Sequence, residues 1–322
     1  MKKYILPVIG LLVFLSGGTL AAQTSDRAFS GVHIYFSEAS NEASPYDRSE
    51  QGISRLAGLL QELGAELRVI DWRTDIPANA DLVVIAGPTR DLSGEQMARL
   101  WVYLTQGGKL LLFADPLVTR MEEGVAVVEN NRALQARRGF FELTWSDFGI
   151  RGRDDVLLLA EDEPTELITD FMTTALDSSL IEMDDELAFF GARSIEFDGS
   201  LQSYVVTPLV FAADDYYGEA EFADYVETGV LGYDSTEDSA PGQLVVAAAA
   251  EKPDTGARIL LIGDRQFVTN GGGLQTSPPN STNFVYPGNI QFTLDGIRWL
   301  LGIEATVTIP IARATLTDGQ SS

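Results

Sequence analysis

The sequence has no cysteine and a single histidine, His33. Without cysteine the chain has no disulfide, no thiolate metal ligand and no cysteine nucleophile. A serine triad needs a histidine base, and His33 lies inside a predicted strand, where neighbouring strands fix its side chain. No G-x-S-x-G nucleophile elbow is present either. These absences argue against the common cysteine and serine hydrolases.

Basic residues are also scarce. The chain has 22 Lys and Arg against 47 Asp and Glu, which gives a net charge of -25. Such a charge repels nucleic acid phosphates, so we expect no nucleic acid partner. Glycine-rich phosphate loops are missing, because neither a dinucleotide fingerprint nor a P-loop occurs and the first predicted strand is followed by no glycine before Gly52. The sequence therefore predicts no cofactor.

The N-terminus has the three parts of a secretory signal. Lys2 and Lys3 precede an apolar stretch at residues 4–15, and small residues follow through Ala22. Residues 1–22 are predicted to be a signal peptide or, if uncleaved, an N-terminal membrane anchor, with a linker at residues 23–30. Either outcome predicts an exported protein that lies at the cell surface, in the periplasm or outside the cell.

Strands that alternate with helices predict an α/β doubly wound, mostly parallel sheet. Apolar runs predict strands at residues 31–36, 66–70, 81–86, 109–114 and 258–263.

Two helices between these strands carry start and stop signals. Ser49 is the predicted N-cap of the first helix, which Gly64 ends. Ser93 and Gln96 have the spacing of a capping box at the start of the second helix.

The parallel sheet is predicted to be interrupted by an insertion. Residues 31–116 and 257–303 form the predicted discontinuous α/β domain, and residues 117–256 form an α+β insertion. At the end of the insertion, residues 243–250 are expected to pair with the strand at 258–263. The polar stretch at residues 304–322 is a predicted C-terminal tail.

Polar residues and glycines follow the predicted strand ends. The carboxyl ends of parallel strands meet at one edge of a sheet, where α/β folds bind ligands. We call this edge the rim and predict that it binds a small neutral or zwitterionic ligand or a peptide segment. The candidate rim residues are Glu38, Asp47, Gly87, Thr89, Arg90, Asp115, Asp264, Asn270 and Asn289.

Four of these residues have a second interpretation. Asp115 and Asp264 could bind a hard cation or act as acid and base, but Asp after a strand also commonly binds backbone amides of the next turn. Asn270 could take a left-handed turn conformation, and Asn289 could cap the closing amphipathic helix that the apolar spacing predicts at residues 289–301. We assign no catalytic residue and no metal ligand.

Several sequence blocks together resemble a known family. The segments SPYDRSEQG, ADLVVIAGPTRDLSGEQ, GGKLLLFADP, ARILLIGDRQFVTN and GNIQFTLDGIRWLLG are similar to the extracytoplasmic auxiliary domain of "ABC-type uncharacterised transport system" proteins, which include a gliding-motility-associated component. The segment FELTWSDFGIRGRDDVLLLA extends the resemblance, which covers nearly all of the predicted exported part. The resemblance implies a flavodoxin-like, glutamine amidotransferase-like fold that lacks the catalytic cysteine.

The resemblance also implies a function. It predicts a non-enzymatic accessory or ligand-sensing domain that works with an ABC-type permease and ATPase and binds a carbohydrate or peptide. Many members of that family carry a C-terminal membrane helix, whereas residues 315–322 here are polar, so membrane attachment is expected only through the N-terminal segment. Two alternatives remain: a carboxylate- or metal-dependent hydrolase that acts on glycans, and a structural scaffold.

Overall fold

The centre of the molecule is a seven-stranded sheet. The computed structural model describes residues 27–116, 118–122, 125–128, 138–159, 187–198, 203–220 and 233–303. The predicted signal or anchor segment and the predicted tail lie outside these residues. The strands of the sheet are β1 (His33–Phe36), β2 (Glu66–Val69), β3 (Leu82–Ala86), β4 (Lys109–Phe113), β10 (Val205–Phe211), β12 (Val245–Lys252) and β13 (Ala257–Ile262). They lie side by side in the order β10-β12-β13-β4-β3-β1-β2.

Five of these strands are parallel. β1 pairs with β2 and β3, β3 pairs with β4, and β4 pairs with β13, all in parallel register. Their order, β2-β1-β3-β4-β13, is the doubly wound flavodoxin-like order. The predicted fold class, an α/β doubly wound sheet of mostly parallel strands, is confirmed.

β12 and β10 extend the sheet in antiparallel fashion. The predicted pairing of residues 243–250 with the strand at 258–263 is confirmed, because Ala247 of β12 pairs with Ile262 of β13. Two strands of the predicted insertion thus belong to the central sheet. The division of the chain into a domain and an insertion stays a prediction.

Within the described ranges, further short strands form three two-stranded sheets. Their bounds are β5 (Val118–Glu122), β6 (Val125–Val128), β7 (Ile150–Gly152), β8 (Val156–Leu159), β9 (Ile195–Phe197) and β11 (Tyr216–Glu219). β5 pairs with β6, β7 with β9 and β8 with β11.

Helices cover both faces of the central sheet. They are α1 (Ser54–Glu62), α2 (Gly94–Thr105), α3 (Arg138–Phe148) and α4 (Pro287–Leu301), with a short 3-10 helix at Gln266–Val268. Alternate residues of a strand point to opposite faces, so Leu111 packs in the core under α1 and α4 while Leu110 packs in the core under α2 and α3. This alternation buries β4 on both sides, as the predicted apolar runs require.

The predicted helix start is correct for α2 and wrong for α1. Ser93 caps α2 and forms the predicted capping box with Gln96. α1 begins at Ser54 rather than after Ser49, because both the N–H and the hydroxyl of Ser49 donate to the carboxylate of Asp47. This local turn satisfies Ser49 outside the helix.

Candidate functional site

The carboxyl ends of β4 and β13 bring two predicted rim residues together. Asp115 follows β4 and Asp264 follows β13, and both are buried, Asp264 completely. The backbone N–H of Arg265 donates to Asp115 Oδ1, and Arg265 Nε lies 3.2 Å from Asp115 Oδ2. Asp115 is therefore bound by Arg265, the residue that follows Asp264 in the chain.

Gly87, at the end of β3, makes room for this arrangement. It has a φ of +69°, in the left-handed region, and a Cβ at this position would collide with the side chain of Arg265. The predicted glycine is thus needed for close packing against the Asp115–Arg265 pair.

Asp264 binds backbone amides on two sides. Its Oδ1 accepts the N–H of Gln266 and its Oδ2 accepts the N–H of Phe190, both at 2.7 Å. Burial, followed by the nearby charge of Asp115, raises the pKa of Asp264 to about 7, although the two amide bonds and Arg265 act in the opposite direction. Asp264 therefore binds backbone amides, which is the role that Asp after a strand commonly has.

A segment that sequence reasoning missed covers the part of the rim around Asp115, Asp264 and Asn289. We call residues 187–193 the strap. Asn289 Oδ1 accepts the N–H of Ala188 at 2.9 Å, and its Nδ2 donates to the carbonyl of Ala188 at 2.8 Å. Gln266 Nε2 donates to the carbonyl of Phe190 at 2.9 Å, and the backbone of the strap also donates to Gly263. The strap therefore lies across the ends of β13 and α4.

Side chains of the strap fix it in place. Phe189 is fully buried and its ring centroid lies 4.8 Å from that of Phe267. Arg193 is only 2% exposed, and its guanidinium donates to the carbonyls of Arg153 and Asp115 and to Asp154 Oδ1. The sequence of the strap is LAFFGAR, a mostly apolar run. No local sequence pattern indicates which distant residues it contacts.

Neither asparagine has the alternative role considered from the sequence. Asn270 is absent from the described non-glycine residues with positive φ, so it is not in a left-handed turn. Its Oδ1 accepts the N–H of Arg55 at 3.0 Å, which caps the first turn of α1 from a distant part of the chain. Asn289 lies inside α4, whose N-cap is Tyr286, and holds the strap instead.

The other predicted rim residues lie in the loop that follows β1 and in the loop that follows β3. Glu38 is exposed and accepts the hydroxyl of Ser44, while Thr89 N–H and Arg90 Nη2 donate to carbonyls of the β1 loop. Hydrogen bonds from the backbone and side chain of Ser49 hold the pKa of exposed Asp47 below its usual value. Thr89 and Arg90 thus tie the two loops together, whereas Glu38 and Asp47 bind residues of their own loop.

His33 lies at the opposite end of the sheet. Its Nδ1 is 3.3 Å from Asp81 Oδ2, and its Nε2 is 3.6 Å from Glu66 Oε2. Each ring nitrogen faces a different carboxylate, so these groups do not converge on one point. Within the described part of the chain, no group of three or more His, Asp and Glu side chains could hold a metal ion.

Beside α1 lies a groove of about 560 Å³ that sequence reasoning also missed. Tyr46, Arg48, Arg55 and Gly58 line it, and Asn270 of the rim reaches its wall. No local sequence pattern indicates that Arg48 and Arg55 line a groove, because the groove forms only when the β1 loop folds against α1.

Comparisons with known proteins indicate the fold and go no further. No family model and no curated protein matches the chain. It is similar in structure to the mmIFT52 N-terminal domain, with a TM-score of 0.54 and 11% identity over 85% of this chain and 100% of that domain. It is also similar to a ThuA-like protein from Parabacteroides merdae, with a TM-score of 0.45 and 10% identity over 88% of this chain and 95% of that one.

A ThuA-like protein from Bacteroides uniformis has a TM-score of 0.41 and 9% identity, again over 88% of this chain and 95% of that one. At such identities the likeness concerns fold alone. The strand order of the parallel part of the sheet, β2-β1-β3-β4-β13, by itself places the fold in the flavodoxin-like class. Among the described residues, no helix combines the length and the apolar character that a membrane span requires.

Proposed function

We propose that the protein is a non-enzymatic, extracytoplasmic accessory or ligand-sensing domain of an ABC-type transport complex. The proposal is supported by the family resemblance of the sequence blocks and by the agreement of the fold with the class which that resemblance implies. The basic, apolar and small segments of residues 1–22 support export.

One observation carries the non-enzymatic part of the proposal. Flavodoxin-like folds bind ligands at the carboxyl ends of their strands, and here the strap covers the ends where Asp115 and Asp264 lie. Asp264 is fully buried and both its oxygens accept backbone amides, so a substrate would have to displace the strap to reach it.

Co-purification from membranes tests the association with a transport complex. The tagged full chain is isolated from its own cells after solubilisation in a mild detergent, and we expect a permease and an ATPase to be recovered with it. A matched variant in which residues 1–22 are replaced by a cleaved signal peptide measures the contribution of the N-terminal segment. Recovery of the wild-type protein alone, from membranes in which another ABC complex stays intact, contradicts the proposal.

A second candidate function is carboxylate-based hydrolysis of glycans. Two features favour it: the charge of Asp115 acts on Asp264, and the pKa of Asp264 is about 7. A general acid works best when its pKa is near the ambient pH. The single Asp115→Asn and the double Asp115→Asn, Asp264→Asn variants are compared with wild type for glycan hydrolysis, with circular dichroism as the check of folding. Activity that persists in the folded double variant excludes this pair as the catalytic site.

A scaffold function is the third candidate. A rim covered by the Gly-, Pro-, Ser- and Asn-rich stretch at residues 271–288 would favour a scaffold. In the structure the strap binds Asp264, and the ring centroid of Tyr286, from that stretch, lies 5.4 Å from that of Phe190 in the strap. A scaffold needs no ligand, so the binding experiment of the next section separates this function from ligand sensing.

A further inference from the structure

The groove beside α1 differs in charge from the rest of the molecule. The chain has more than twice as many acidic as basic side chains, yet no described Asp or Glu lines the groove, whereas Arg48 and Arg55 do. Its volume of about 560 Å³ falls within the range of small-ligand sites. This local reversal of charge favours an anionic ligand.

The two arginines have donors to spare. Arg48 is exposed and makes no hydrogen bond or ion pair with the described residues. Arg55 is held by Nη1, which donates to the carbonyls of Asn270 and Leu274, and its Nε and Nη2 have no such partner in the described chain. A guanidinium that is fixed at one corner loses little freedom when it binds a carboxylate with its other donors.

Neutral polar groups and one aromatic ring complete the groove. Tyr46 is 62% exposed, and an exposed ring provides a flat apolar surface next to the arginines. Ser54, Gln61 and Asn280 add hydroxyl and amide groups, which both donate and accept hydrogen bonds. Such groups suit a ligand with many hydroxyls.

Gly58 leaves the helical wall of the groove without a side chain. It lies in the middle of α1 with ordinary helical backbone, and a Cβ there would meet no atom within 4 Å. Alanine would be more stable at such a position. The glycine therefore keeps space free at a cost in helix stability.

We infer that this groove binds a carbohydrate that bears a carboxylate, with the acid on Arg48 and Arg55 and a sugar ring against Tyr46. The exposed ring and the neutral hydroxyl and amide groups favour an acidic sugar over an acidic peptide. The inference rests on the ligand-sensing part of the proposed function. It is tested on the purified protein without any transport complex, so that its failure and the failure of co-purification are separate results.

Isothermal titration calorimetry of the purified full chain provides the test. The probes are trimers of galacturonate, glucuronate and mannuronate, with neutral maltotriose and the peptide triglutamate as comparisons. We expect one uronate trimer to bind saturably, more weakly at high salt, and maltotriose not to bind. Arg48→Gln should weaken this binding about tenfold, because it removes a charge-assisted hydrogen-bond donor.

Gly58→Trp and Gly58→Ala form a matched pair. Both place a side chain where the structure has space, so both should fold, but only tryptophan fills the groove and abolishes binding. Arg73→Gln, which removes an exposed arginine outside the groove, should leave binding unchanged. Failure of all three uronates to bind, or undiminished binding by a folded Gly58→Trp protein, overturns the inference. Tighter binding of triglutamate than of every uronate overturns the carbohydrate assignment.

Discussion

At the scale of single residues, Asn270 joins the end of the sheet to the start of the first helix. Its Nδ2 donates to the carbonyls of Asp47 and Ser49 and to the hydroxyl of Ser54, while its Oδ1 caps Arg55. The residue is 4% exposed, so these groups have no water to replace a lost partner.

Asn270→Ala should therefore lower the free energy of unfolding by about 2–3 kcal/mol, the sum of a lost helix cap and of unpaired buried groups. Urea denaturation followed by circular dichroism measures the change. Asn283→Ala is the control, because the Asn283 side chain makes no hydrogen bond with the described residues. Equal stability of the two variants would contradict the role of Asn270 as a cap.

The raised pKa of Asp264 predicts that the folded state loses stability as the pH rises. Its pKa rises from 3.8 to about 7 on folding, so the folded state binds the proton more tightly than the unfolded state. Its contribution to stability is then fully present below about pH 4 and is lost as the pH rises through about 7. An asparagine side chain at this position stays neutral at every pH, so the stability of wild type should fall relative to that of Asp264→Asn over this window.

Urea denaturation at several pH values measures this difference. Asp115 and Arg265 face the same carboxyl group, and the variant retains both residues. Asp75→Asn is the control, because Asp75 is 92% exposed and should not alter the slope. Parallel curves for wild type and Asp264→Asn would show that the proton of Asp264 does not stabilise the folded state.

At the scale of elements, the strap resembles an added strand held by side chains. Asn289 of α4 pairs with both backbone groups of Ala188, as a neighbouring strand would, and Gln266 and Asp264 do the same for Phe190. The strap thus depends on α4 and on the turn after β13 for its order.

Asn289→Ala should loosen the strap while leaving the parallel sheet folded. We expect amide hydrogen exchange at Ala188 to become at least about tenfold faster, because its N–H loses its acceptor. The buried amides of β3 serve as the internal reference. Unchanged exchange at Ala188 would mean that Phe189 and the other buried side chains hold the strap without Asn289.

At the scale of the whole molecule, the net charge of -25 sets a general electrostatic repulsion. Folding brings these like charges closer together, so salt that screens their repulsion should favour the folded state. Individual exposed ion pairs such as Arg73–Asp71 weaken in salt, but each contributes little.

We therefore expect the unfolding temperature to rise by a few degrees between about 0.02 and 0.5 M NaCl. Differential scanning calorimetry measures the shift, and KCl at equal ionic strength is the control because it screens equally. A fall in the unfolding temperature would mean that attractive ion pairs outweigh the overall repulsion.

Much of the architecture followed from short stretches of sequence. The apolar runs ending at Ala86 and Phe113 marked buried parallel strands, and Ser93 with Gln96 marked the start of α2. These features depend on side-chain periodicity and on hydrogen bonds within one turn, which neighbouring residues contain. The absence of cysteine, likewise visible in the sequence, excluded catalysis by a cysteine nucleophile.

Only the tertiary structure decided how the rim and the groove are built. Asn270 caps a helix 215 residues away, and Asn289 binds a strap 101 residues away, in place of the local roles that each residue type suggests. Arg48 and Arg55 line one groove because the β1 loop folds back on α1. Local patterns determine which elements form, whereas the partners of a buried polar side chain depend on which distant segments the core brings beside it.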